Sequence, residues 1–162
     1  MIVLGIDPGT ATTGYGIIKK ENGTLKCVDY GVISTSKDMP FGERLLTIYK
    51  EVESLIKKYN PERIAVEDLY FFNNEKTAFK VGQARGVVML AIEESGRTPF
   101  EPTPLQVKQA VSGYGKADKI QVQKMVKLIL NLKEIPKPDD AADALAIAIY
   151  CANCMIIKGK KC

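Results

Sequence analysis

Four acidic residues lie where an apolar run ends or where a helix begins. They are Asp7, Glu67, Asp140 and Asp143. A fold that brings them together would place four carboxylates in one pocket, where they would repel one another unless cations lay between them. Oxygen ligands of this hardness favour Mg²⁺ or Mn²⁺. The pattern therefore predicts a divalent-metal site in which these acids are both the ligands and the catalytic groups.

Each of these acids also has an ordinary structural interpretation. Asp7 precedes a Pro-Gly turn that it could cap, and Glu67 could be a solvated residue that leaves a sheet. Strand alternation puts Glu67 and Asp68 on opposite faces, so at most one of them faces Asp7. Asp139 is explained by the preference for acids at a helix N-terminus, but Asp143 lies among alanines on an almost wholly apolar helix. An acid in that setting needs a partner, which favours metal ligation by Asp143.

The composition narrows the possible chemistry. The chain of 162 residues contains no histidine, which excludes serine–histidine and cysteine–histidine nucleophiles, histidine general bases and histidine-containing zinc sites. The four cysteines lack the density of a disulfide scaffold, and Cys151 and Cys154 are predicted to be small core residues. Since the N-terminus does not resemble a signal peptide and no apolar run has the length of a membrane span, we expect a soluble, cytoplasmic protein with reduced thiols.

Two groups of residues are suited to nucleic acid. Lysines are concentrated between residues 108 and 133, although the net charge of the whole chain is only +4. Lys108, Lys116 and Lys119 are candidates for contacts with phosphates, and solvated surface charge is the alternative. Tyr70 and Phe71 begin an aromatic loop that could stack on unpaired or distorted bases, and packing on the next helix is the alternative. A basic rim around an acidic centre suits a polyanion that meets metal.

The periodicity of the sequence predicts the elements that must position these residues. Strands are predicted at about 2–6, 13–18, 25–33 and 63–67, and Phe100-Glu101 is predicted to be one more edge strand. Helices are predicted at about 42–59, 77–94, 103–111, 119–132 and 139–157. Asp140 and Asp143, three positions apart, share one face of the last helix. The sum is an α/β fold with a mixed five-stranded sheet flanked by helices.

Glycines mark two further features. Gly9, Gly14 and Gly16 resemble a phosphate-cradling loop, although glycine clusters are also common in hairpins. Gly82 and Gly86 lie one turn apart on the second predicted helix, where they would allow another element to approach closely; internal helix packing is expected, and a dimer contact is the alternative. Neither pattern is specific by itself.

Six blocks of residues follow one another at compatible spacing along nearly the whole chain. They are Gly5-Ile6-Asp7-Pro8-Gly9, Thr13-Gly14-Tyr15-Gly16, Glu67, Gly82-Gln83-Ala84-Arg85-Gly86, Val107-Lys108-Gln109 and Asp140-Ala141-Ala142-Asp143-Ala144-Leu145-Ala146. Together they resemble the RuvC family of Holliday-junction resolvases. Several blocks in order are far more specific than any one of them.

The resemblance implies a ribonuclease H-like nuclease domain over residues 1–157 and a basic tail at 158–162. It also implies a homodimer that makes paired, symmetric nicks in four-way DNA junctions during recombination and repair, together with the RuvA and RuvB branch-migration proteins. The four acids would hold two Mg²⁺ ions, replaceable by Mn²⁺ and about 4 Å apart, for hydrolysis to 5′-phosphate and 3′-hydroxyl ends. Tyr70 stands where the family has a wedging phenylalanine, while Lys108 and Lys119 match lysines that contact DNA near the scissile phosphate.

Two other functions fit parts of the pattern. A sugar-kinase or actin-like ATPase also has an acidic-Gly-Thr phosphate loop in its first hairpin, but it uses two such domains, and a chain of 162 residues supplies one. A non-enzymatic junction-binding protein is the second alternative. ATP binding tests the first alternative, and Mg²⁺-dependent nicking of a synthetic junction tests the second.

Overall fold

A four-stranded mixed sheet forms the centre of the fold. The computed structural model describes residues 1–68 and 75–154. The strands are β1 (Ile2–Asp7), β2 (Thr12–Glu21), β3 (Thr24–Ser34) and β4 (Arg63–Val66). The first three pair antiparallel, β4 pairs with β1 in parallel, and the order across the sheet is β3-β2-β1-β4. The predicted hairpins and the buried fourth strand are confirmed.

Five helices in the described part of the chain cover the two faces of this sheet. They are α1 (Phe41–Tyr59), α2 (Glu75–Glu94), α3 (Pro104–Ser112), α4 (Lys119–Ile129) and α5 (Asp139–Asn153). α1 and α2 share a core with Leu4 and Ile64 of the sheet, whereas α3, α4 and α5 share a core with Val3 and Ala65. Neighbouring strand residues point to opposite faces, so each buried strand contributes to both cores. None of the described helices is both long enough and apolar enough to cross a lipid bilayer.

Glycines let α5 lie directly on β1 and β2. A Cβ on Gly5 would lie 2.2 Å from the carbonyl oxygen of Ala144. A Cβ on Gly14 would lie 2.0 Å from the carbonyl oxygen of Asp140. Gly16 faces the backbone of the same helix, and only a residue without a side chain permits this approach. Helix packing therefore explains Gly14 and Gly16, which had suggested a phosphate-cradling loop.

The prediction of a fifth strand is wrong for the described residues. Phe100 forms one parallel bridge to β4, in which its N–H donates to Ile64 and its carbonyl oxygen accepts from Val66, both at 2.8 Å. Pro99 and Pro102 flank the bridge. The carbonyl oxygen of Pro102 still accepts from the N–H of Asp68 at 2.8 Å, but Pro102 has no N–H to donate to β4, so the pairing stays a single bridge and does not become a strand.

Two helices end earlier than predicted. α4 ends at Ile129 instead of residue 132, because the chain turns at Leu130 and Asn131 adopts a left-handed φ of 50°. α5 ends at Asn153, and Cys154 has an extended conformation. Residues 155–162, which include the predicted end of this helix and the predicted basic tail, lie outside the described residues. The division into domain and tail therefore stays a prediction.

The two cysteines near the end of α5 have different environments. Cys151 is a buried free thiol, as predicted, and burial raises its pKa to about 12, which makes it unreactive. Cys154 is half-buried and disulfide-bonded. The expectation of a reduced core thiol is therefore wrong at Cys154, which lies just after the end of α5 and is only half-buried.

One side of α2 has no covering element among the described residues. Gly86 is exposed, and a Cβ added there would meet no atom within 4 Å. The prediction that this glycine serves internal helix packing is therefore wrong, because nothing in the described part of the chain approaches it.

Candidate active site

Asp7 and Glu67 meet at one edge of the sheet because the strands that carry them are parallel. Asp7 is the last residue of β1, and Glu67 follows β4. Ile6 pairs with Val66, and the N–H of Glu67 donates to the carbonyl oxygen of Ile6 at 3.2 Å. Both acids therefore leave adjacent strand ends at the same edge.

Asp68 is directed to a different partner. The guanidinium of Arg85 on α2 lies 3.4 Å from the carboxylate of Asp68 and 2.5 Å from that of Glu101, and its Nε donates to the carbonyl oxygen of Glu67 at 3.1 Å. Strand alternation thus separates Glu67 from Asp68, as predicted. The sequence reasoning gave Arg85 no role of its own, and the only signal for it was its place in the block between Gly82 and Gly86.

Asp140 and Asp143 reach the site from the first turns of α5. Gly14 pairs with Asp7 across β1 and β2, and the backbone of Asp140 lies against Gly14. This contact holds the start of α5 over the end of β1. Asp143, one turn later, and Glu67 line the same cavity of about 210 Å³. The full lining is Glu67, Pro104, Val107, Lys108, Lys119, Val122, Asp143 and Ala146.

Burial and mutual repulsion favour the protonated forms of the acids at the strand ends. Burial raises the pKa of Asp7 from 3.8 to about 8, and Glu67, Asp143 and Asp140 add to the shift. Burial, followed by repulsion from Asp143, raises the pKa of Glu67 from 4.5 to about 7, and Lys108 opposes this shift. The three other predicted acids therefore all act on Asp7, and without a cation the two acids at the strand ends are at least partly protonated at neutral pH.

Lys119 partly neutralises the negative charge of two acids of α5. Its Nζ lies 3.2 Å from the carboxylate of Asp143 and 3.4 Å from that of Asp139. Burial raises the pKa of Asp143, and Lys119 opposes that shift. Burial disfavours the charged form of Lys119, but Asp143 and Asp139 outweigh it and raise the pKa of the lysine. The ammonium group is thus shared between two carboxylates.

Gln123 orients Asp139, one of the two carboxylates that contact Lys119. Its side chain is buried, and its Nε2 donates to the carboxylate of Asp139 at 3.0 Å. Asp139 is therefore held by Gln123 and Lys119 at the side of the site. The sequence reasoning missed Gln123, although a polar residue four positions after Lys119, between the buried Val122 and Val126, was a usable signal.

The four carboxylates are of the ligand type that binds a hard divalent cation. All four groups are carboxylates, and a cation between them would relieve the repulsion that raises the pKa values of Asp7 and Glu67. Within residues 1–68 and 75–154, no three acidic or cysteine side chains already have the arrangement of a metal site. The carboxylate of Asp143 is instead paired with Lys119 at 3.2 Å. The assignment of the four acids as ligands stays a prediction.

The lysines predicted to contact DNA lie around the cavity and the loop beside it. Lys108 and Lys119 line the cavity, and Lys116 is exposed in the loop between α3 and α4. Tyr70 and Phe71 lie outside the described residues, so their contact with bases stays a prediction.

Comparison with known proteins identifies relatives over nearly the full chain. The family model for crossover junction endodeoxyribonuclease RuvC matches residues 3–151. Proteins of that name from Ruminiclostridium cellulolyticum and Desulfitobacterium hafniense are 56% and 58% identical to this chain over 94% of its length, which is 92% and 93% of theirs. A solved structure of Thermus thermophilus RuvC is 40% identical, with a TM-score of 0.85 over 94% of this chain and 93% of the other.

A second T. thermophilus structure, RuvC in complex with a Holliday junction substrate, has a TM-score of 0.86 at 38% identity over the same shares of the two chains. The match to the family model runs from β1 to the last turn of α5 and includes Asp7, Glu67, Asp140 and Asp143. These comparisons agree with the family that the sequence blocks predicted. The chain therefore belongs to the RuvC family of crossover junction endodeoxyribonucleases.

Proposed function

We propose that this enzyme resolves four-way DNA junctions by paired, symmetric nicks in opposed strands, during recombination and repair. The observation that carries the proposal is the convergence of four acids beside a cavity lined by Lys108 and Lys119. A metal ion held by acids could act on a phosphodiester bond, and the neighbouring ammonium groups could bind the phosphates of the substrate. Further support comes from the T. thermophilus relative, whose structure contains a Holliday junction substrate. The fold would be the ribonuclease H-like one.

The cofactor that this donor set suits is Mg²⁺, with Mn²⁺ as a substitute and two ions per site. Asp7, Glu67, Asp140 and Asp143 would hold them through carboxylate oxygens. The chemistry that bound ions supply is activation of water and stabilisation of the leaving 3′ oxygen, which gives 5′-phosphate and 3′-hydroxyl ends. Because ligands must be ionised, metal binding would displace the protons that burial favours on Asp7 and Glu67.

The lysines of the cavity would hold the substrate. Lys108 is close enough to Glu67 to oppose the rise in its pKa, so its ammonium lies within electrostatic reach of the reacting phosphate. Lys119 is paired with Asp143, and it would have to leave that carboxylate before Asp143 could bind metal. A phosphate of the DNA is the natural new partner for this ammonium. With no histidine in the chain, carboxylates are the proton acceptors available near the cavity.

Paired nicks require two active sites, so the functional unit would be a homodimer. α2 offers a surface for it, because Phe79, Gln83, Gly86 and Leu90 are exposed at the spacing of one helix face. Phe79 and Leu90 are 70% and 53% exposed, and Gly86 leaves open space for a second backbone. Two copies that pack α2 against α2 would bury this stripe.

Leu90→Glu tests the dimer surface, with Leu128→Glu as a matched control. Leu128 is 69% exposed and lies on α4, away from this stripe. Sedimentation should show a monomer for Leu90→Glu and a dimer for the control, and the monomer should nick the two strands without coordination. A dimer of unchanged stability for Leu90→Glu would place the interface elsewhere.

The remaining partners follow from the family. RuvA and RuvB would deliver the junction by branch migration, and the site of action would be the cytoplasm. Tyr70 and Phe71 would contact bases opened at the junction, and stacking of this kind contributes ~1–3 kcal/mol per base. Lys116 would contact the phosphate backbone.

Cleavage of a synthetic four-way junction tests the main proposal. Each strand is labelled in turn, and the products are compared in Mg²⁺ and in EDTA and then treated with DNA ligase. We expect Mg²⁺-dependent nicks at symmetric positions in two opposed strands, which ligase reseals because the ends carry 5′-phosphate and 3′-hydroxyl groups. Asp143→Asn should bind the junction without cutting it.

Two other results would support different functions. Tight junction binding by the unmodified protein with no nicking in Mg²⁺ or Mn²⁺ would support a non-enzymatic binding protein. Hydrolysis of ATP in the absence of DNA cleavage would support the ATPase alternative.

A further inference from the structure

Two large apolar side chains are exposed beside the active-site cavity. Leu105 on α3 is 58% exposed, and Tyr114, in the loop between α3 and α4, is 60% exposed. We propose that this pair, the Tyr114 platform, contacts the nucleotide next to the scissile phosphate, with the ring of Tyr114 stacking on its base. This role rests on the proposed cleavage of junction DNA. It would make Tyr114 a residue that positions the substrate and contributes to the choice of cutting site.

The backbone of Tyr114 is held in place, so the exposure of its ring is not the result of a loose loop. The hydroxyl of Ser112 accepts from the N–H of Tyr114 at 3.3 Å and lies 2.6 Å from the carbonyl oxygen of Lys108. The carbonyl oxygen of Tyr114 accepts from the N–H of Ala117 at 3.1 Å, and Ala117 is buried in the core. Both backbone groups of Tyr114 are thus satisfied within a fixed turn.

The ends of the two flanking helices fix the same loop from outside. Gly113 ends α3 with a left-handed φ of 75°, a conformation that favours glycine. Asp118 caps α4 by accepting from the N–H of Gln121 at 2.8 Å, and Gln121 accepts from the N–H of Asp118 at 3.0 Å. This reciprocal pair is a capping box. The loop between the two caps therefore presents Tyr114 from a preorganised backbone.

Leu105 lies between the loop that carries Tyr114 and the residues that line the cavity. A Cβ on Gly115 would lie 2.6 Å from Cδ1 of Leu105, so the leucine packs directly on the backbone of the loop. Leu105 follows Pro104 and lies three positions before Lys108, and both of these residues line the cavity. The exposed apolar surface is therefore continuous with the rim of the active site.

The charges around the Tyr114 platform indicate that it contacts DNA. Lys108 and Lys119 line the cavity, and Lys116 is exposed two residues after Tyr114. Cations before and after Tyr114 in the chain attract phosphates of a DNA strand, and the exposed apolar surface in the same region then faces the sugars and bases of that strand. An aromatic ring within such a basic groove is the arrangement that binds an unpaired base. We therefore assign the platform to the cleaved strand of DNA.

Fluorescence of 2-aminopurine tests for stacking directly. The probe replaces the base on either side of the cutting site, and cleavage is prevented with Asp7→Asn. Binding should quench the probe at one of these positions. Adding Tyr114→Ala should remove most of the quenching, whereas adding Tyr114→Phe should preserve it because the ring is retained. Tyr30→Ala, which removes a ring that is 37% exposed on β3, should leave the quenching unchanged.

Single-turnover cleavage separates positioning from affinity. With the acids intact, Tyr114→Ala should lower the rate constant at saturating enzyme about tenfold and broaden the distribution of cutting positions, because a misplaced phosphate reacts slowly. The Kd for the junction should rise by less than about threefold, since the lysines supply most of the affinity. Leu105→Ser should give a smaller effect in the same direction, and Tyr114→Phe should restore the rate and the cutting pattern.

Three results would overturn the assignment. Quenching and cleavage rate that are both unchanged in Tyr114→Ala would mean that the ring faces solvent in the complex. Equal losses in Tyr114→Ala and Tyr114→Phe, with a lowered midpoint of thermal unfolding, would indicate a structural role for the hydroxyl. A rise in Kd with no change in the single-turnover rate would make Tyr114 an affinity contact only. If the unmodified protein fails to cut junctions, the proposed function itself fails, and the two failures are distinct.

Discussion

The two halves of the acidic site differ in how their charge is compensated. At the strand ends, burial and repulsion from neighbouring acids raise the pKa values of Asp7 and Glu67 to about 8 and about 7. On α5, burial also raises the pKa of Asp143, but Lys119 lies 3.2 Å away and opposes the shift. The helix half thus contains an ion pair with a lysine of the chain, whereas at the strand half Lys119 and Lys108 only partly oppose the rise in the pKa values of Asp7 and Glu67.

This difference in charge compensation suggests different contributions of the two halves to metal binding and to DNA binding. The backbone positions of Asp7 and Glu67 are set by paired strands, so these acids cannot move far to relieve their repulsion. Lys119 is a long side chain that is 50% exposed, and an exposed ion pair contributes only ~0–1 kcal/mol, so it exchanges partners readily. We therefore expect the pH dependence of metal binding to come mainly from Asp7 and Glu67, and Lys119 to contribute to the salt dependence of DNA binding.

Asp7→Asn should have the largest effect on cleavage. Without this carboxylate, the strand half loses a charge that a metal ion requires, and the rate in Mg²⁺ should fall by at least about a hundredfold, with junction binding preserved. Asp139→Asn is the matched control at an acid that is not an assigned ligand, and its rate should stay within about fivefold of the unmodified protein because it removes only an exposed partner of Lys119. Single-turnover cleavage and a binding titration measure both. Similar losses in the two variants would contradict the assignment of Asp7 as a metal ligand.

Gly14→Ala should disturb the contact that joins the halves. A Cβ there would lie 2.0 Å from the carbonyl oxygen of Asp140, so α5 must shift, at a cost of about 1–3 kcal/mol in the free energy of unfolding. Cleavage should also fall, since Asp140 and Asp143 move away from Asp7. Chemical denaturation measures the stability. Gly42→Ala is the control, because no atom lies within 4 Å of its added Cβ, and equal stability of the two variants would contradict this packing.

Stability without divalent ions should fall as the pH rises from about 5 to about 7. The folded-state pKa values of Asp7 and Glu67, about 8 and about 7, exceed the ordinary values of 3.8 and 4.5. The folded protein therefore binds more protons than the unfolded chain in this range, and each extra proton lowers stability by up to about 1.4 kcal/mol per pH unit.

Thermal unfolding at several pH values, with and without Mg²⁺, checks this dependence. Since the chain has no histidine, few other side chains titrate in the same window. Mg²⁺ should raise the unfolding midpoint more at pH 7 than at pH 5, because ionised carboxylates bind it. Asp7→Asn should flatten the pH dependence, and an unchanged slope in that variant would assign the proton uptake to other groups.

Lys119→Ala should have the smallest effect on the folded protein and a specific effect on DNA binding. Its removal should change the free energy of unfolding by no more than about 1 kcal/mol. The slope of log K against log salt concentration for junction binding should become shallower by about one unit, because one phosphate contact is lost. Binding titrations at several salt concentrations measure this slope. If it does not change, Lys119 stays with the acids of α5 in the complex.

Local patterns in the sequence correctly predicted much of the fold. The hairpins, the helix that begins after Thr103 and the position of Asp7 and Glu67 at strand ends all follow from features within a few residues of one another. Thr103 accepts from the N–H of Gln106, as a cap should. The error at Phe100 had a local cause too, since Pro102, two residues later, has no N–H with which to continue the pairing.

Partners that come from distant segments were not predictable in the same way. Asp139 fits the general preference of acids for helix N-termini, and only the packing of α4 on α5 shows that Lys119 and Gln123 hold it. Asp68 fits a metal site as well as Glu67 does by residue type, and it is the contact with Arg85 that separates them. Which residues contact one another from segments far apart in the sequence depends on how the helices pack, and a short sequence pattern does not contain that information.

The sequence by itself determined the chemistry of this protein and its family: four carboxylates at element ends, no histidine, and lysines in one segment. These features are fixed by residue type and by local backbone preference, so they can be recognised without a fold. The tertiary structure decided which charges compensate one another. Parallel pairing of β1 with β4 and the close approach of α5 to Gly14 bring the acids together, and burial then sets their pKa values. Burial and distance arise only when separate segments pack, and electrostatic energy depends on both.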